Sequence, residues 1–218
     1  MKLALICLMF GVLPASSAPK GAFAPIALYT QYQHEPPQAV LEALQDELDA
    51  IMSPIGMHFD WRALDGPRAS ETSAELAVVT FKGRCDAAGL TNRSRIEGAL
   101  GFTHVSDGQI LPFTEISCDR LRNFVQGELL GLRPEERETA FGRALGRVLA
   151  HELYHIFANT ARHGSGVSKE SYTVRDLVCE EFQFQHREMQ LLRDNRVHGL
   201  PEAGQVKAAS TPASLAYN

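Results

Sequence analysis

The 218-residue chain predicts an α+β fold, on three observations. Short segments of apolar alternation fill its first half around one helical period. An Asp-Gly turn joins two of those segments as a hairpin. The longest helical period follows them, in the second half.

Residues 24–33 read as a strand, and 37–52 as a helix with Val40, Leu41, Leu44, Leu48 and Ile51 on one face. Strands follow at 57–64 and 75–82, with a polar loop at 65–73 between them and another at 92–98. Residues 100–105 and 109–116 form the hairpin, turning through Ser106-Asp107-Gly108, and a helix starts near Asp119. The period over 135–158 predicts a long helix. Pro134 suits its first turn, Glu135, Glu136 and Glu138 complement its positive end, and Ala140, Phe141, Leu145, Val148, Leu149 and Ile156 form its apolar stripe. A last helix is expected over 174–192. The tail, 199–218, is rich in Ala, Ser and Pro and is expected to be disordered.

Residues 1–18 have the form of a signal peptide: Met1-Lys2, an apolar run over 3–13 too short to span a bilayer, and the small residues Ala15-Ser16-Ser17-Ala18. Pro19 disfavours a cut directly after Ala18, so cleavage is expected after Ser17 or nearby. A secreted or periplasmic protein follows. No later stretch is apolar for long enough to cross a membrane, so no stable anchor is expected after cleavage. The formal charge of −5, with no Lys/Arg cluster among aromatics, argues against nucleic acid as a partner. A hydrophobic content of 44% suits one globular domain, expected over 22–198 and as a monomer.

Export changes the meaning of the cysteines. Cys7 leaves with the leader, and Cys85, Cys118 and Cys179 remain. Cys85 and Cys118 end two strands and are expected to pair, stapling the hairpin to the sheet for ~3 kcal/mol of loop-closure stabilisation. Cys179 is expected to be a buried thiol.

The chemistry concentrates at His151-Glu152-Leu153-Tyr154-His155. Residues four apart share a helix face, so both imidazoles can reach one metal ion with Glu152 beside an open coordination position. A catalytic zinc takes three protein ligands and leaves a fourth place for water. His163 is the first choice for the third, because Asn159 tolerates the left-handed conformation that ends a helix and lets the chain turn back. Glu180, Glu181 and Asp176 are the alternatives.

At these residues the chain resembles the metzincin group of zinc peptidases, in which His-Glu-x-x-His is followed by a tight turn, a third histidine and a methionine-containing turn. It is similar within that group to secreted bacterial metallopeptidases whose last histidine follows the second by eight residues, as His163 follows His155. Gly166-Val167-Ser168-Lys169 falls where the methionine turn belongs. The departures are Phe157-Ala158-Asn159 in place of the usual glycine, a third histidine two residues late, and Ser168 at the methionine position.

The resemblance implies a zincin-like domain: a mixed twisted sheet with an edge hairpin, an active-site helix and a C-terminal helix. It implies one zinc ion on His151, His155 and His163, with Glu152 as general base in hydrolysis of a peptide or protein substrate. Residues 101–105 would pair with the substrate backbone. Tyr172 is a candidate oxyanion donor, Tyr154 is expected to pack, and Arg162, Arg175 and Asp176 are candidates for orienting a ligand. A zinc-binding relative without turnover is the alternative reading.

Overall fold

The computed structural model describes residues 24–90, 97–178 and 181–199. The expected leader at 1–18, Cys179, Glu180 and the tail beyond 199 lie outside them. Ten elements follow in order: β1 Ile26–His34, α1 Gln38–Met52, β2 Phe59–Ala63, β3 Leu76–Arg84, β4 Gly101–Ser106, β5 Gln109–Ser117, α2 Cys118–Gly131, α3 Pro134–Phe157, α4 Val174–Val178 and α5 His186–Gly199. The strands form one sheet in the order β2-β1-β3-β5-β4. All pairings are parallel except β4 with β5, so the sheet is mixed and β4 is its antiparallel edge. The expected α+β class, the edge hairpin and the long helix that carries His151, Glu152 and His155 are all present.

Local chemistry accounts for the hairpin and the long helix. Asp107 and Gly108 take positive φ, 51° and 77°, as the tight turn demands. In α3, Pro134 occupies the first turn, and the Glu136 carboxylate accepts from the Arg133 backbone N–H at 3.2 Å. Its apolar stripe, including Phe141, Leu145, Val148 and Leu149, is buried against the sheet and α1.

Two glycines set how closely α1 and α3 approach. A Cβ on Gly142 would lie 2.4 Å from the Val40 carbonyl oxygen, and one on Gly146 2.8 Å from that of Leu44. Only bare Cα atoms allow this contact. Beside it the buried Arg147 guanidinium meets Glu47 at 2.6 Å, donates to the Asp176 carbonyl at 2.9 Å and lies over the Phe182 ring. These contacts fix the axial position of α3, and with it the histidines on its last turns.

Cys85 and Cys118 are disulfide-bonded, joining the end of β3 to the start of α2 as expected. The single helix expected over 174–192 is instead two. Residues 181–185 are not helical: Phe182 and Phe184 are buried while Glu181, Gln183 and Gln185 face solvent. That two-residue alternation competes with the helical period, and burial of two aromatic rings decides the outcome.

Candidate metal centre

The last two turns of α3 bring His151, Glu152 and His155 to one buried spot, each at most 8% exposed. After Phe157 the chain reverses. Asn159 adopts φ 45°, and the Thr160 N–H returns to the His155 carbonyl at 3.2 Å. The reversal carries His163 back over the helix end. Its ring stacks on His151 at 5.4 Å between centroids and meets His155 edge-on at 4.9 Å. One ligating nitrogen from each of the three lies within 4.8 Å of the others.

Hydrogen bonds fix which ring nitrogens are free. His151 Nδ1 is 2.8 Å from the Val167 carbonyl and His155 Nδ1 2.7 Å from that of Thr160. A carbonyl only accepts, so both Nδ1 atoms carry the proton and both Nε2 atoms present lone pairs. Those two Nε2 atoms lie 3.1 Å apart. Two lone pairs at that distance repel unless a cation lies between them. Burial holds the His151 pKa down, to about 4, and lowers that of His155. Both rings are therefore neutral and able to donate at neutral pH.

Glu152 faces the edge strand. Thr103 Oγ1 donates to its Oε2 at 2.6 Å, and a Cβ on Gly101 would lie 2.4 Å from its Oε1. Burial raises the carboxyl pKa to about 7, against the lowering effect of the Thr103 bond. A cleft of about 410 Å³ opens beside it, walled by Leu100, Gly101, Phe124, Val148 and Tyr172, with His151 and Glu152 on its floor.

No protein-family profile matches this sequence, and no curated protein matches it significantly. A solved structure does. The chain is similar to archaemetzincin from Methanopyrus kandleri. The two share 14% identity with a TM-score of 0.48, over 82% of this chain and 98% of the other.

The remaining candidates fall outside the cluster. Asp176 receives Lys169 Nζ at 2.6 Å and Thr173 Oγ1 at 2.8 Å, and Glu181 is exposed. Neither joins the group that His163 completes among the described residues. Glu180 is not among those residues. Tyr172 has another place than an oxyanion donor would need: its hydroxyl donates to the Val167 carbonyl and its oxygen lies 2.9 Å from His151 Nδ1, on the ring side opposite Nε2. It secures the imidazole from behind. Arg175 is exposed, Arg162 lines a separate cavity near His163, and Tyr154 packs against Phe184 as expected. His104 stands beside the exposed Phe102, 3.7 Å from Glu115.

Sequence reasoning missed Thr103 and Gly101 as neighbours of Glu152. Their signal was faint, since an edge strand is recognisable by its turn but its facing partner is 49 residues away.

Proposed function

We propose that this chain is an exported, zinc-dependent endopeptidase in which His151, His155 and His163 hold one zinc ion and Glu152 is the general base. The observation that carries this is the facing pair of unprotonated Nε2 atoms, 3.1 Å apart and buried. Two nitrogens bound at 2.0–2.1 Å in a tetrahedral site stand about 3.3 Å apart, so the donor set fits zinc with little movement. The fixed tautomers add to the fit, because each Nδ1–H is already spent on a carbonyl.

Zinc held there would supply Lewis acidity, lowering the pKa of a coordinated water and offsetting negative charge on the carbonyl oxygen under attack. The chain's own residues do the rest. Glu152 takes the water's proton at Oε1, the oxygen Thr103 leaves free, and returns it to the departing amine. Thr103 and Gly101 fix that carboxylate from the strand side. Among the described residues β4 has a strand neighbour on one side only, so an extended substrate can add to its other edge as a further strand. The adjoining cleft, with Leu100, Phe124 and Val148 among its lining, receives a substrate side chain.

The Cys85–Cys118 bridge supports an oxidising compartment, in keeping with the leader. Among the described residues no helix is long and apolar enough to cross a membrane.

One observation favours a second reading, a zinc-binding protein without turnover: Ser168 stands fully buried where a methionine turn belongs. Glu152→Gln separates the two. Zinc retained with peptide cleavage abolished supports the enzyme; a zinc-loaded wild type that leaves a broad peptide library intact supports the binding protein.

A further inference from the structure

We propose that Glu188, on α5, is a positioning residue of the metal centre, its buried carboxylate bracing the His163 loop and supplying counter-charge to the bound cation. The inference rests on reading the three histidines as metal ligands.

Ser168, at the expected methionine position, brings a hydroxyl into a fully buried place. That hydroxyl has one proton and two acceptors, the Ser165 carbonyl at 3.0 Å and Glu188 Oε1 at 3.4 Å. Glu188 therefore receives at most a share of one hydrogen bond there. Its residue is 7% exposed, and its Oε2 is buried with no hydrogen-bond partner among the described residues. A carboxylate kept from water in this way is costly unless positive charge offsets it.

The same carboxylate is packed onto the loop that bears the third histidine. Gly164 follows His163 directly and donates its N–H to the Ser168 carbonyl at 2.9 Å. A Cβ at Gly164 would stand 2.2 Å from Glu188 Oε1 and 2.8 Å from Ser168 Oγ. Only glycine lets the carboxylate reach the backbone beside His163. Glu188 and His163 also line one cavity, with Arg162, Arg187 and Asp194. A polar brace from α5 thus stands at Ser168, and a cation on the histidines would add to the positive charge of Arg162 and Arg187 in offsetting it.

The test uses the full chain, stripped of zinc by dialysis against a chelator, comparing wild type with Glu188→Gln. Zinc affinity is read by competition with a chromophoric chelator, and urea unfolding is followed with and without zinc. The Gln variant should bind zinc about 10- to 100-fold more weakly, the usual range for loss of an outer-shell partner. Its zinc-free urea midpoint should equal or exceed that of wild type, because a buried charge short of hydrogen bonds is gone. The visible absorption of the cobalt-substituted protein should shift, and Glu188→Asp, which keeps the charge, should recover part of the affinity. Affinity within twofold of wild type would overturn the assignment. So would a Gln variant destabilised equally with and without zinc, or unfolded without it, since either marks a purely structural role. Wild type that takes up no zinc removes the metal reading itself, and this assignment with it.

Discussion

Thr103 Oγ1 lies 2.6 Å from Glu152 Oε2 and 3.2 Å from the Glu152 carbonyl oxygen, so the single proton of this edge-strand hydroxyl goes chiefly to the carboxylate of the proposed base. A hydrogen bond to a charged group contributes about 1.5–3 kcal/mol. Thr103→Val, which keeps the shape and removes the donor, should lower kcat roughly 10- to 100-fold with zinc affinity unchanged. Thr103→Ser should restore most of it. Steady-state kinetics beside zinc titration checks this; a Val variant with wild-type kcat would show that Glu152 needs no such restraint.

Glu152 also makes the metal-free protein sensitive to pH. Its folded pKa, about 7, lies above the ordinary 4.5. The carboxyl's cost to stability is therefore absent below pH 4.5, grows as pH rises and is complete above pH 7. In the zinc-free state Glu152→Gln should be more stable than wild type at pH 8, by roughly 3 kcal/mol at most, with the two converging at pH 4. His151, whose depressed pKa has the opposite pH slope, is common to both proteins and cancels. Urea unfolding at the two pH values is the measurement, and a constant difference across that range would contradict the burial of this carboxylate.

Gly142 should tolerate no side chain. Because a Cβ there would press on the Val40 carbonyl oxygen, Gly142→Ala should force α1 and α3 apart at about 1–3 kcal/mol, despite alanine's better helix propensity. Gly127, where a Cβ meets nothing within 4 Å, is the control, and its alanine variant should be neutral or stabilising. Equal effects at the two sites would remove the close helix contact from the account.

The Cys85–Cys118 bridge closes a separation of 33 residues. Replacing both cysteines by serine should cost roughly 3–4 kcal/mol by chain-entropy reasoning. The loss is read from urea midpoints under non-reducing conditions. A double variant as stable as wild type would mean that the bridge does not form in solution.

Much of this centre was legible in the sequence because it is local. A helical period fixes that His151 and His155 share a face, and Asn159 marks where the chain can reverse toward His163. The Cys85–Cys118 pairing followed from two strand ends. What was not legible depends on contacts between distant segments. Thr103 meets Glu152 across the sheet edge, Gly142 and Gly146 read as ordinary helix glycines until α1 is laid against them, and Glu188 reads as a solvated helix residue until the His163 loop folds onto it. The break between α4 and α5 was visible as the Phe182/Phe184 alternation, but a helical period on either side masked it. Tyr172 was expected as an oxyanion donor, and only the Val167 carbonyl reveals that its hydroxyl faces His151 Nδ1 instead.

The central claim is that three imidazoles and one carboxylate make a hydrolytic metal centre. Its most direct test is zinc content together with cleavage of a broad peptide library, wild type beside Glu152→Gln. The account predicts one zinc per chain in both proteins and cleavage by wild type alone. Wild type without zinc, or zinc-loaded wild type that cuts nothing, would contradict it.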